Sequence, residues 1–189
     1  MDIKGELHFS PKYTFKQIEI ALKGNEKSTL IDAFKDRICG FYLGPAQKLC
    51  QLNKFYAFAA GVLCVSTIDC LAMISISPNR VGDRFTQWTQ NNIAELNQYN
   101  LASRFYDDFR NGLVHEGRIK NGAQFSYKYT KLVEMLKGAM VVNPDILLKK
   151  ISKSFEDYIG KVERDDIEYK KLTDYLEKFD KELEYANSC

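Results

Sequence analysis

From Phe55 to Ser77 the chain is apolar almost without interruption, and Asp69 is the single charged residue in that stretch. A helix that is hydrophobic around its whole circumference has no solvent face, so it is either the centre of a packed core or a membrane span. Gly61, Ser66, Thr67 and several alanines favour packing against protein, and no second stretch of this kind is present. The expectation is therefore a buried central helix over 53–76, ended by Ser77–Pro78–Asn79, and no membrane partner. The rest of the chain can supply the surrounding core: 45% of the 189 residues are hydrophobic and 28% are charged.

Other helices follow from periodicity. Leu30, Ile31, Phe34, Ile38, Phe41 and Tyr42 recur at helical spacing behind Ser28, read as an N-cap. Gly44–Pro45 punctuates that helix, and Pro45 opens a continuation through Leu49 and Leu52. A helix over 80–94 turns Val81, Phe85, Trp88 and Ile93 inward, and another over 97–115 carries Tyr99, Phe105, Tyr106, Phe109 and Leu113. Asn143–Pro144–Asp145 is a strong helix start, and Arg164–Asp165 separates this helix from the last one. Residues 1–27, with Phe9, Tyr13 and Phe15 loosely alternating, read as a strand or irregular arm. Asn121–Gly122 marks a tight turn, Phe125, Tyr127 and Tyr129 alternate, and Lys137–Gly138 joins Leu132–Leu136 to Ala139–Val142. The fold class is mainly α, a helical bundle with a small antiparallel β-hairpin insertion at 123–142 and C-terminal helices over 144–186. With no repeats or low-complexity linker, 1–189 reads as a single domain.

The formal net charge is +2. That is too small for a protein that holds nucleic acid by its overall field, so any RNA role must rest on a local site. The five cysteines (Cys39, Cys50, Cys64, Cys70 and Cys189) are odd in number and show no CxxC spacing. They read as reduced thiols of a cytoplasmic protein, with no metal site. The first ten residues lack the apolar core of a signal peptide. No P-loop, GxGxxG or metal-ligand cluster appears, so no cofactor is expected.

Only two histidines are present, His8 and His115. His115 closes the segment FYDDFRNGLVHEG, the densest polar cluster set among apolar residues. On an unbroken α-helix Asp108, Asn111 and His115 share one face, with Asp107 beside them, while Arg110 lies roughly 140° from His115. The two side chains then meet only if Gly112 loosens the helix or if a two-fold dimer brings one from each protomer.

The pattern Arg110–Asn111 followed by His115 resembles the active-site motif of HEPN domains. The segments FYLGPAQKL, TIDCLA, VGDRFTQW and VVNPDILL also look like a bacterial group of HEPN-like proteins, so the resemblance covers about residues 28–163. It implies a helical bundle that pairs as a homodimer. It also implies a metal-independent RNA endonuclease of toxin–antitoxin or antiviral defence type, with RNA as substrate and an antitoxin or other protein as a possible partner. Arg110, Asn111 and His115 would be the catalytic set. Histidine titrates near physiological pH and can move the proton of a 2′-OH, and an arginine fork suits phosphate. Asn111 would orient the histidine or the hydroxyl.

Plainer readings stand beside this one. His115 can simply close a helix C-terminus ahead of Gly117. Arg110 can be a structural partner of Asp107 or Asp69. Asp107 and Asp108 are more readily solvated or supporting groups than general bases. Asp69, a lone acid in an apolar helix, must face a polar groove or bind a cation, and Arg110 is the favoured partner. Trp88 with Phe85 and Arg84 could stack a base, though a core or interface role is favoured. A non-catalytic HEPN-like interaction or nucleotide-binding module is the alternative function, and the acids Asp107, Asp108 and Glu116 lean towards it.

Overall fold

Helices dominate the computed structural model, which describes residues 7–76 and 80–179. In chain order they are α1 (Phe15–Lys23), α2 (Lys27–Ile38), α3 (Gly44–Leu52), α4 (Ala57–Ser75), α5 (Val81–Asn92), α6 (Tyr99–Phe105), α7 (Gly112–Glu116), α8 (Pro144–Arg164) and α9 (Asp166–Leu176). Two one-turn π segments interrupt them, Cys39–Leu43 between α2 and α3 and Tyr106–Asn111 between α6 and α7. The strands β1 (Gln124–Phe125), β2 (Val133–Leu136) and β3 (Ala139–Val142) form one small sheet. The mainly α class expected from the sequence is therefore the observed one.

The chain gathers into two compact units. Among the described residues, one comprises those up to Phe41 with those from Asp157 onward, and the other those from Tyr42 to Glu156. In the first unit, Phe9, Phe15, Tyr175 and Phe179 pack as an aromatic cluster with ring centroids 5.4–5.8 Å apart. The expected N-terminal strand or arm gives way here to α1. Its start is a capping box in which the Thr14 hydroxyl accepts from Gln17 N and the Gln17 side chain accepts from Thr14 N. The start of α2 is also corrected. It begins at Lys27 with Glu26 in the cap position, so Ser28 lies inside the first turn.

The second unit is built around α4. Among the described residues one helix, Lys54–Ser75, is long and apolar enough to cross a membrane, yet 56% of its apolar window is buried within the protein, as expected of a core helix. Phe125 packs so closely on it that a Cβ at Gly61 would sit 2.2 Å from the ring. Phe85, Phe105, Phe109 and Phe125 continue the core as a chain of ring contacts. Trp88 and Phe85 are buried in it and cannot stack a base, whereas Val81, expected inward, is exposed, as is Tyr99. The Ser77–Pro78–Asn79 stop, the span 180–186 of the expected C-terminal helices and Cys189 lie outside the described residues.

The hairpin is as expected. β2 and β3 pair antiparallel from Val133↔Val142 to Leu136↔Ala139. Lys137 (φ 47°) and Gly138 (φ 87°) both take the positive φ that a two-residue type I′ turn needs. The sheet as a whole is not purely antiparallel, because β1 joins β3 in parallel through Gln124↔Val141 and Phe125↔Val142. Asn143 links the sheet to α8. Its amide donates to Tyr129 O at 2.7 Å, and its Oδ1 accepts from Asp145 N and Ile146 N, capping the helix.

Candidate functional site

The motif lies on one helical run in the second unit, α6, the π-turn and α7. Before the turn, Arg104 and Asp108 are spaced to meet on a helix, and they do so at 3.0 Å. Asp108 is fully buried, and its other carboxylate oxygen accepts from Asn121 Nδ2 at 2.5 Å. Its backbone carbonyl accepts from Lys120 N at 2.8 Å, and Arg104 Nη2 donates to Gly138 O in the hairpin turn. One carboxylate thus ties the π-turn to the 120–121 loop, while its arginine partner reaches the hairpin. A buried carboxylate requires partners of this kind.

This placement corrects the α-helical wheel. A π segment bonds i to i+5 and rotates less per residue, so the face that Asp108, Asn111 and His115 would share is broken. Asp108 turns into the core, Asn111 is half-buried, and His115 and Asp107 are exposed. Gly112 is not the loosening element: it has ordinary helical dihedrals (φ −62°, ψ −47°). Glycine is required there for a different reason. A Cβ would lie 2.4 Å from Arg118 O, so the returning loop passes directly over the helix.

Arg110 pairs with Asp69, the partner favoured from the sequence. Its Nη2 and Nε donate to Asp69 Oδ2 at 2.8 and 3.3 Å, and its guanidinium carbon lies 5.8 Å from the Tyr106 ring centroid. The Arg110 side chain is 12% exposed and that of Asp69 32%. Among the described residues Nη1 makes no hydrogen bond, so donors on one edge of the fork remain available. Asn111 and His115 make no side-chain hydrogen bond among the described residues, and none joins Arg110 to His115. His115 occupies the last turn of α7, which Gly117 ends in the left-handed conformation (φ 64°) with its N–H on Gly112 O. Glu116 is held by Lys120 and Arg118, each at 2.6 Å. The Lys120 hydrogen bond, with help from Arg118, keeps its carboxyl below the usual glutamate range.

No group of three potential metal ligands comes together among the described residues. A cleft of about 450 Å³ in the same unit, lined by Glu95, Leu101, Leu132 and Ile146 among others, includes no residue of the motif. Arg104 and Lys120 were not singled out from the sequence, and Asn121 was read only as part of the Asn121–Gly122 turn, not as a partner of the motif. The i,i+4 spacing of Arg104 and Asp108 was the available signal for the first. The other two arrive from a loop, and no local pattern announces their contacts with Asp108. Comparison with family models, curated proteins and solved structures finds no match to this chain.

Proposed function

We propose that this chain is a HEPN-like, metal-independent RNA endonuclease of toxin or defence type, with His115 as general acid/base and Arg110 stabilising phosphate charge at a homodimer interface. The observation that carries the reading is the condition of the two side chains. Asp69 orients the Arg110 guanidinium while leaving Nη1 without a hydrogen bond among the described residues, and the His115 imidazole is exposed further along the same helical run. Pre-oriented donors cost little reorganisation when charge develops on a phosphorane.

In the proposed reaction an imidazole removes the 2′-OH proton, the 2′ oxygen attacks phosphorus, and the bond to the 5′ oxygen breaks as that oxygen is protonated. A two-fold pair brings a second His115, so one ring can take the proton and the other give it. Asn111 orients the histidine or the hydroxyl. The products are a 2′,3′-cyclic phosphate and a 5′-hydroxyl. Mass spectrometry of cleaved oligonucleotides tests this, and a 5′-phosphate product overturns it. The reading carries with it a cytoplasmic location and an antitoxin or other protein partner.

A specific observation favours a second reading, a non-catalytic interaction or nucleotide-binding module. Arg110 is largely buried against Asp69, and His115 sits where a helix end is closed by Gly117. On that reading Asp69→Asn lowers stability and no cleavage is seen with any variant.

A further inference from the structure

Leu52, Phe55, Tyr56 and Phe58 are 69%, 79%, 45% and 46% exposed, all close together in sequence where α3 gives way to α4. A cluster of this kind normally marks a binding surface. Along the sequence its charges are of one sign, and in space the nearby Asp145, which acts on Cys50, is paired with Lys149 at 2.7 Å. No Asp or Glu occurs between Asp36 and Asp69, while Lys48 and Lys54 lie within the stretch. Lys48 is exposed one helical turn before Leu52, and Lys54 Nζ lies 5.4 Å from the Phe55 ring centroid. Flat rings interleaved with cations are complementary to a polyanion that carries flat rings of its own.

The direction of α4 links this cluster to Arg110. Phe58 and Asp69 are eleven residues apart on an unbroken α-helix. At about 100° and about 1.5 Å per residue, they share a face to within about 20° and lie about 16 Å apart. Exposure follows the same line: Val62 and Ser66 are half-buried between them, and Met73 is exposed beyond.

We infer that Phe55, Tyr56 and Phe58, with Lys48 and Lys54, form a stacking platform for unpaired bases of single-stranded RNA, from which the strand runs along α4 to the Asp69-oriented guanidinium. The inference rests on the RNA reading above. At the stacked spacing of about 3.4 Å, about five nucleotides span the distance from platform to arginine.

The test measures fluorescence anisotropy with 2′-O-methyl oligonucleotides, which cannot be cleaved through the 2′ oxygen. Binding is therefore read independently of catalysis. Affinity is expected to rise with length up to about five or six nucleotides and then level, with a duplex of equal length binding more weakly. Phe55→Ala is expected to weaken binding about tenfold and Phe55→Ala/Phe58→Ala about a hundredfold, with unchanged circular dichroism. Lys48→Ala/Lys54→Ala should reduce the salt slope by about 1.4, at about 0.7 per phosphate contact on a single strand. Binding that is lost in the aromatic variants, when wild type does not cleave natural RNA, supports the platform and overturns the nuclease. Undiminished binding in those variants, with cleavage intact, overturns the platform alone. The platform is also overturned if the variants lose only association with phosphatidylglycerol vesicles, or only self-association, while their RNA affinity is unchanged.

Discussion

Replacing Asp108 by alanine should be among the most damaging single changes in the second unit. The carboxylate is fully buried between Arg104 Nε and Asn121 Nδ2. Removing one member of a buried ion pair costs about 3–5 kcal/mol, because the remaining charge is left without a partner. The Arg104 side chain is 33% exposed and can turn towards water, which places the loss near the lower end, at about 3 kcal/mol. For a chain of this size that corresponds to a fall in Tm of about 6–12 °C. Asp108→Asn keeps the shape and one acceptor and should fall about half as far. Asp107→Ala, one residue away and exposed, should stay within about 0.5 kcal/mol of wild type. Urea denaturation followed by far-ultraviolet circular dichroism and by Trp88 fluorescence reads all three. Equal effects of the Asp108 and Asp107 substitutions would refute the assignment of Asp108 as the residue that pins the π-turn.

Further predictions concern its surroundings. Gly112→Ala places a methyl against Arg118 O and should destabilise by about 1–3 kcal/mol, with the largest amide shifts in 117–121. Gly61→Ala meets the Phe125 ring and should give a similar loss, partly recovered by Phe125→Leu. Glu116 has its carboxyl lowered in the folded protein, so its stabilising contribution is present above the unfolded glutamate pKa and is lost as pH falls through the lower folded value. An NMR titration should show its carboxyl shift moving at lower pH than that of a free glutamate, and Lys120→Met should return it upwards. Asp69→Asn should retain the fold but lower RNA cleavage, since the guanidinium loses its charged anchor. Unchanged stability and unchanged activity together would show that the pair has no role.

Much of the architecture was legible because helical periodicity reports directly on burial. The all-apolar stretch became α4, Asn143 capped α8, and Asp165 accepted from Ile167 N and Glu168 N at the start of α9. The miss at α1 had a local signal in the Thr14–Gln17 capping box, which the loose alternation of Phe9, Tyr13 and Phe15 obscured. Other features are tertiary and leave little local trace. A parallel pairing of two residues in β1 has no pattern of its own. The π-turn at Tyr106–Asn111 invalidates any wheel drawn at a constant angle, which is why Asp108 was grouped with Asn111 and His115 although it faces the core. The Asp69–Arg110 pair could be anticipated because a lone acid in an apolar helix needs a cation. The exposure of Phe55 and Phe58 could not, because apolar residues at the head of a core helix read as core.

His115 and Arg110 are proposed to cleave RNA without a metal. The most direct test incubates wild type, His115→Ala and Arg110→Ala with mixed single-stranded and structured RNA in the presence of EDTA. Cleavage by wild type alone is expected. Absence of cleavage by all three, with each protein folded and dimeric, or equal cleavage by all three, would contradict it.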